Sequence, residues 1–280
     1  MKNILLPTDF SDNSWNAIKY ALGLFKDNTC NFYLLHVNRL TNLVTADASY
    51  TPTKDLIEEV YTKPSKTQLR EMLKRISEEV GRNDNHSFYT LVDYNFFIES
   101  IRRHVEDKKI DTIVMGTKGA SGLKEFIVGS NTGDVITKVQ CTTLVVPENA
   151  VYSRFKEVAF PTDFTLSYSI NTLRPISDIL KNSDATIRIL HIVKNNEEFN
   201  GEQKENKELL EDYFADYKHG FHFLTNKKVE DAVQCFVESR DIDLIVMVAK
   251  SLNYFQQILF HSRVEKISYH TKIPFLVLHE

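Results

Sequence analysis

Short apolar runs alternate with longer amphipathic stretches along most of the chain. Runs such as IVM at residues 113–115 and TLVVP at 143–147 are apolar on both faces, which is typical of parallel strands covered by helices on both sides. Apolar residues recur at helical spacing in SWNAIKYALGLF at 14–25 and FFIESIRRHVEDK at 96–108. The alternation predicts βαβ units and therefore an α/β fold with parallel sheets.

An internal repeat divides the chain into two similar halves. Residues 4–10 read ILLPTDF and residues 158–164 read VAFPTDF, so both halves open with an apolar strand and the same Pro-Thr-Asp-Phe turn. Three further pairs follow in the same order: FYLLHV with RILHIV, DTIVM with DLIVM, and TLVVPE with FLVLHE. The repeat predicts two copies of one domain, at residues 1–149 and 153–280.

The second copy is shorter than the first after its second strand. The PTDF turns lie 154 residues apart and the IVM strands 132 apart, so 22 residues are missing from the second copy. The extra stretch of the first copy, residues 41–64, begins with polar, turn-prone sequence. Two interpretations stay open: a surface insertion, which loops tolerate at low cost, and a lid over a ligand.

Candidate chemistry is concentrated at the ends of three predicted strands of the first copy. In an open parallel sheet, ligands bind outside the carboxyl ends of the strands. The PTDF turn, the second strand at Val37 and the loop after the fourth strand all reach this edge. The sequence therefore predicts a binding crevice there.

The loop after the fourth strand, MGTKGASGLKEFIVGSNTGDVI at residues 115–136, combines spaced glycines with a helix start. Glycine lets backbone amides approach phosphate oxygens closely. Ser130 and Thr132 fall at the predicted N-terminus of the next helix, where unpaired amides and the helix dipole favour an anion. The joint spacing favours a phosphate-binding loop, although a tight turn or an N-cap explains any single residue of it.

The pattern Gly116-x-x-Gly119-x9-Gly129-Ser130 resembles the universal stress protein family, whose ATP-binding members carry G-x-x-G-x9-G-[S/T]. The PTDF turn and the TLVVP strand share the resemblance, which covers nearly the whole chain when the second copy is included. It implies two tandem doubly wound parallel-sheet domains of the Rossmann-like, adenine nucleotide α-hydrolase-like type. It also implies an ATP site made by Pro7, Thr8, Asp9, Val37, Met115, Gly116, Gly119, Gly129, Ser130, Asn131 and Thr132.

The resemblance also implies which part of ATP each group would hold. Asp9, with the backbone at Pro7 and Val37, would hold adenine and the adjoining sugar, and the glycines with Ser130 and Thr132 would line the ribose and phosphates.

Two residues near the phosphate loop need separate interpretation. Asn131 departs from the family pattern, in which an apolar residue is common at this position. Asp134 would need Mg²⁺ if it lay near phosphates, but a solvent-facing position in the helix explains it equally. ATP is the expected cofactor and Mg²⁺ is left open, while no residue is assigned as a metal ligand or a catalytic group.

The second copy keeps the PTDF turn and loses the glycines. The 132-residue offset puts Val248, Ser251 and His261 where the glycines stand in the first copy, and only Ser262 is retained. A β-branched valine blocks close approach of the backbone to a ligand. We therefore expect no ordinary ATP binding in the second copy, where Asp163 would brace its turn.

His36 and His191 occupy matching strand ends in the two copies. No partnered serine, cysteine or carboxylate spacing accompanies them. We therefore expect both rings to pack at the strand ends and not to catalyse a reaction.

Composition excludes several function classes. A net charge of −4 and a pI near 6.2 leave no long-range positive field for nucleic acid. The three cysteines are odd in number and lack C-x-x-C spacing, which predicts buried, reduced thiols and no disulfide or zinc site. Apolar runs are too short for a signal peptide or a transmembrane helix, so we predict a cytoplasmic protein without a membrane partner.

The preferred hypothesis is a non-enzymatic ATP-binding stress or signalling protein whose nucleotide occupancy is sensed by an unknown protein partner. Slow ATP hydrolysis is one alternative, but the sequence contains no G-x-x-x-x-G-K-[ST] loop. A ligand-free scaffold is another, with TLVVP and FLVLH pairing the copies into an intramolecular pseudo-dimer. Association of two chains into a homodimer also stays open.

Overall fold

The computed structural model describes residues 1–39, 54–117, 130–193, 198–226, 229–249 and 273–279. These residues fold as two compact units, one ending at Tyr152 and the other beginning at Ser153.

The first unit alternates strands and helices from its N-terminus. Its strands are β1 (Lys2–Pro7), β2 (Cys30–Arg39), β3 (His86–Asn95), β4 (Thr112–Gly116) and β5 (Thr143–Val146). Its helices are α1 (Asp12–Leu24), α2 (Lys54–Ile57), α3 (Lys63–Glu79), α4 (Phe97–Asp107) and α5 (Ser130–Lys138), with a π-helical turn (Glu58–Thr62) between α2 and α3. The parallel strands lie in the order β3-β2-β1-β4-β5. This is a doubly wound sheet whose order reverses between β1 and β4.

Helices cover both faces of this sheet. Leu5 and Leu35 pack with Ile101 of α4 and Val135 of α5 in one apolar core. Successive strand residues point to opposite faces, so Leu6 faces the other side, where α1 and α3 contact the sheet. Burial on both faces is the reason that β4 and β5 are apolar at nearly every position.

The second unit has the same arrangement of equivalent strands. Its strands are β6 (Glu157–Pro161), β7 (Thr186–Val193), β8 (His219–Thr225), β9 (Leu244–Val248) and β10 (Phe275–Leu278), and its helices are α6 (Ile170–Ser183), α7 (Gly201–Phe214) and α8 (Val229–Ser239). The parallel order is β10-β9-β6-β7-β8. The predicted α/β fold with doubly wound parallel sheets is confirmed.

An aspartate before the fourth strand of each unit fixes the start of the central strand. The Asp111 carboxylate accepts a hydrogen bond from the backbone N–H of Asn3 at 2.7 Å. In the second unit the Asp243 carboxylate accepts from the N–H groups of Lys156, at 2.6 Å, and Glu157, at 3.0 Å. These charge-assisted bonds hold the amino ends of adjacent strands level with each other.

Two of the three thiols are buried. Burial raises the pKa of Cys30 to about 11 and that of Cys141 to about 12, so both thiols stay protonated. The expectation of burial is wrong for Cys235, which is exposed on α8 because it lies on the helix face away from the sheet. Among the described residues, no helix has the length and apolarity needed to cross a membrane.

Replacing Leu5 by alanine tests the core of the first unit. Leu5 is fully buried in β1, so we expect the free energy of unfolding of this unit to fall by about 2–5 kcal/mol. Trp15, the single tryptophan of the sequence, is buried in α1, so its fluorescence during urea unfolding reports on the first unit. The control is Leu209→Ala in the second unit, where the side chain is 36% exposed. Equal shifts of the Trp15 transition in both variants would contradict the assignment.

Candidate functional site

The PTDF turn of the first unit is held by hydrogen bonds of its own residues. The Ser14 hydroxyl donates to the Ser11 carbonyl at 2.8 Å, so the Thr8 hydroxyl is the donor in its 2.9 Å contact with Ser14. Thr8 Oγ1 in turn accepts the N–H of Phe10 at 3.0 Å. Phe10 adopts a left-handed conformation, with φ of 64°. The turn is therefore fixed before any ligand arrives.

The Asp9 carboxylate is oriented by the start of α1. It accepts hydrogen bonds from the N–H of Ser11 at 3.1 Å and from the Ser11 hydroxyl at 2.6 Å. Ser11 is also the N-cap of α1 and accepts the N–H of Ser14. The negative charge thus lies beside the N-terminus of a helix, at the carboxyl edge of the sheet.

His36 holds the same turn from β2. Its Nδ1 lies 2.8 Å from the Thr8 carbonyl, and since a carbonyl oxygen only accepts, Nδ1 carries the proton. The ring stacks on Phe10 with the centroids 4.4 Å apart. This contact confirms the expected packing of His36 at the strand end.

The second unit repeats this contact. His191 Nδ1 donates to the Thr162 carbonyl at 2.9 Å, and the ring stacks on Phe164 at 5.1 Å. Burial lowers the pKa of His191, which favours the neutral ring. Asp163 accepts the N–H and the hydroxyl of Thr165, so it braces its turn as expected.

A hydrogen bond joins the end of β4 to the beginning of α5. The Thr132 hydroxyl donates to the Gly116 carbonyl at 2.8 Å, and both residues are buried. The first turn of α5 therefore opens at the same edge as the PTDF turn, since β1 and β4 are parallel neighbours. Ser130, the first residue of α5, is exposed at this edge.

Packing alone already favours a glycine at position 116. A Cβ there would lie 2.7–2.8 Å from the side-chain amide of Asn13 on α1, which is closer than non-bonded atoms approach. The close contact lets α1 lie tightly over β4. Phosphate approach is therefore not needed to explain this glycine, and sequence spacing alone did not indicate its contact with Asn13.

A partly buried carboxylate lies next to Val37 on the neighbouring strand. Asp93 is paired with Val37 in the β2–β3 register and accepts from Arg103 at 2.6 Å and from His104 Nε2 at 2.9 Å. Burial raises the pKa of Asp93, but the hydrogen bond and charge of His104 outweigh it, with contributions from Ser100 and Arg103, so the pKa lies below its ordinary value. The sequence did not indicate this cluster, because its residues belong to separate elements.

Asp134 pairs with a cation of its own helix. Its carboxylate lies 2.8 Å from Lys138 Nζ, one helical turn away, and both side chains are about half exposed. This pair matches the solvent-facing alternative for Asp134. Among the described residues, no group of three His, Cys, Asp or Glu side chains is arranged to hold a metal ion.

Residues 1–147 match the model of the universal stress protein family, which is more than half of the chain. The chain belongs to this family. A universal stress protein of Methanocaldococcus jannaschii is 33% identical over 147 residues, which are 52% of this chain and 81% of the relative. Universal stress protein YxiE of Bacillus subtilis is 28% identical over 146 residues, which are 51% of this chain and 97% of the relative.

One solved structure matches this universal stress protein over nearly its whole length. A universal stress protein from Archaeoglobus fulgidus has a TM-score of 0.69 and covers 99% of this chain and 96% of its own. The two sequences are 19% identical, so the likeness concerns the fold alone.

The structure brings most of the predicted site residues of this universal stress protein to one edge. Pro7, Thr8, Asp9, Val37, Met115, Gly116, Ser130, Asn131 and Thr132 lie at the ends of β1, β2 and β4 or in the first turn of α5. The Thr132 hydroxyl donates its proton to the Gly116 carbonyl. Outside the described residues lie Gly119, Gly129, Ser251, His261, Ser262 and residues 41–53 of the insertion.

Gly116→Ala tests the contact between α1 and β4 of this universal stress protein. The added methyl would displace Asn13, so we expect the first unit to lose about 1–3 kcal/mol of stability, measured by Trp15 fluorescence in urea. Asn13→Ala removes the clashing amide, so the double variant should be more stable than the sum of the single losses predicts. Strictly additive losses would refute the contact.

Asp93→Asn tests the cluster of Asp93, Arg103 and His104 through the pH dependence of stability. Because the pKa of Asp93 is lowered in the folded protein, its charge stabilises the protein above its ordinary pKa, and this stability is lost as pH falls through the lowered value. The difference in unfolding free energy between wild type and Asp93→Asn should therefore shrink from pH 6 to pH 3. Asp84→Asn, whose exposed carboxylate pairs with Arg82, is the control and should show little dependence. A constant difference for Asp93→Asn would argue against the cluster.

Proposed function

We propose that the first unit of this universal stress protein binds ATP at the edge formed by the PTDF turn, Val37 and the N-terminus of α5. The observation that carries the proposal is the hydrogen bond from Thr132 to the Gly116 carbonyl. It ties the start of α5 to the end of β4, beside the turn that holds Asp9. A helix N-terminus with free amides is a favourable place for phosphate, and the switch point of a doubly wound sheet is a favourable place for a nucleotide.

In this proposal the base, the ribose and the phosphates of the nucleotide each bind a different type of protein group. The Val37 backbone, beyond the paired part of β1, would bind the base, while the Asp9 carboxylate would accept hydrogen bonds from ribose hydroxyls. The amides of the first turn of α5 and the exposed Ser130 would hold phosphate oxygens, together with Gly119 and Gly129 of the loop. Mg²⁺ would be carried by the phosphates, because Asp134 is already paired with Lys138.

The same edge of the second unit is covered by its own chain, which supports a non-binding role for residues 153–280. Gln203 Nε2 of α7 donates to the Asp163 carbonyl at 2.8 Å, and Asn206 Nδ2 donates to the Phe164 carbonyl at 2.8 Å. Phe199 packs against His191, with ring centroids 4.9 Å apart. We propose that this half is a degenerate copy of the domain whose turn is closed by α7.

The proposed role is binding and signalling without turnover. The two hydrogen bonds from Ser11 orient the Asp9 carboxylate as an acceptor for hydroxyl groups. Nucleotide occupancy at the edge of the first unit would then alter a surface that a protein partner reads.

Calorimetric titration of nucleotide-free protein with ATP tests the proposal. We expect one ATP per chain, because α7 covers the turn of the second unit. Binding of two ATP molecules would contradict the assignment of the second unit. Absence of binding would reject the nucleotide site and favour the ligand-free scaffold.

Ser130→Asp separates nucleotide binding from stability. A carboxylate at the start of α5 repels phosphate, so the affinity for ATP should fall by about tenfold or more. The same charge suits the N-terminal end of the helix dipole, so thermal stability should stay equal or rise. Ser169→Asp at the N-cap of α6 is the control and should leave ATP affinity unchanged. Unchanged affinity in Ser130→Asp would remove α5 from the site.

A further inference from the structure

The pairing of β1 with β2 stops at a defined point. The last registered pair is Pro7 with Leu35, and the N–H of Thr8 then donates to the Leu35 carbonyl at 2.8 Å. In a parallel ladder, a residue that donates to one strand neighbour accepts from the residue two positions further along that strand. The Thr8 carbonyl therefore faces the N–H of Val37.

His36 bonds to the Thr8 carbonyl, which is the acceptor that the next hydrogen bond of the ladder, from Val37, would use. Its Nδ1–H donates to the Thr8 carbonyl at 2.8 Å. Stacking on Phe10, at 4.4 Å between centroids, holds the ring in this position. The left-handed backbone of Phe10 brings its ring back over the strand end. A side chain of β2 thus ends the ladder one hydrogen bond early.

We propose that His36 is a positioning residue that keeps the backbone N–H of Val37 available to a ligand. This inference rests on the proposed nucleotide site and adds to it the group that prepares the base-binding edge. The released N–H points along the sheet, past the end of β1, where it would donate to an acceptor nitrogen on the edge of a planar heteroaromatic base. Without the imidazole donor, the N–H of Val37 would donate to the Thr8 carbonyl and extend the ladder by one hydrogen bond.

The second unit contains the same bond in a different setting. His191 donates to the Thr162 carbonyl at 2.9 Å, and Thr162 donates to Leu190 at 2.8 Å. There Phe199 packs against the imidazole, at 4.9 Å. The bond from His191 to Thr162 braces the turn of the second unit. A substitution of His191 is therefore a matched control for the bracing role of His36.

Two substitutions of His36 separate the donor from the ring. His36→Asn places an amide N–H the same number of bonds from Cα as Nδ1, so it should retain ATP affinity within about threefold. His36→Phe keeps a ring to stack on Phe10 but has no donor, so ATP affinity should fall by about tenfold, the range expected for one lost hydrogen bond. His191→Phe should lower thermal stability about as much as His36→Phe does, and it should leave ATP affinity unchanged.

A base analogue provides the readout that bracing alone would not change. The triphosphate of 1-deazaadenosine has a C–H group in place of N1, the ring nitrogen that would accept the hydrogen bond from Val37. The wild-type protein should therefore bind it about tenfold more weakly than ATP. His36→Phe should bind both nucleotides equally, because the N–H of Val37 then donates to the Thr8 carbonyl. If His36→Phe bound ATP more weakly but still preferred ATP over the analogue about tenfold, His36 would only brace the turn, and the proposal would be overturned. Unchanged affinity in His36→Phe would overturn it as well.

Amide hydrogen exchange measured by NMR tests the inference in the nucleotide-free wild-type protein. The N–H of Val37 should exchange faster than that of Leu35, which lies within the paired ladder. Equal protection would overturn the proposal even if His36→Phe failed to fold. Fast exchange of Val37 in a protein that binds no ATP would reject the proposed function but retain the role of His36 in ending the ladder.

Discussion

The shortness of the central strand is the constraint on which the candidate site depends. β1 ends at Pro7, whereas β2 continues to Arg39, so the sheet has a step at its carboxyl edge. Parallel pairing is in register along β1, and after the hydrogen bond from the Thr8 N–H to Leu35, β1 supplies no further ladder partner to β2. The turn after Pro7, the overhang of β2 and the start of α5 all border this step. This step follows from unequal strand lengths.

Different hydrogen bonds hold the elements that border this step, and all of them join groups of the protein itself. Thr8 and Ser14 fix the turn, His36 covers the turn carbonyl, and Thr132 attaches α5 to β4. A site held in this way loses little conformational entropy when a ligand binds, because its groups are already ordered. Preorganisation of this kind suits a protein that senses a small molecule.

The two units use one turn for different purposes. Both turns bond a threonine carbonyl to a histidine and stack that histidine on a phenylalanine. In the second unit the side chains of Gln203 and Asn206 take the next two turn carbonyls, so α7 closes the edge. The shorter connection after β7 brings this helix near the turn. The connections after β2 and β7 therefore differ in length, and in the second unit a helix lies against the turn.

The sequence by itself determined the α/β class, the repeat of one strand pattern in both halves and the edge where the candidate residues meet. Those features follow from local periodicity and from a repeat, which need no knowledge of distant contacts. Only the tertiary structure decided that Gly116 faces Asn13, that Thr132 bonds to Gly116 and that His36 bonds to the Thr8 carbonyl. These pairs join different elements across distances of a few ångströms, and such distances depend on how helices and strands pack together.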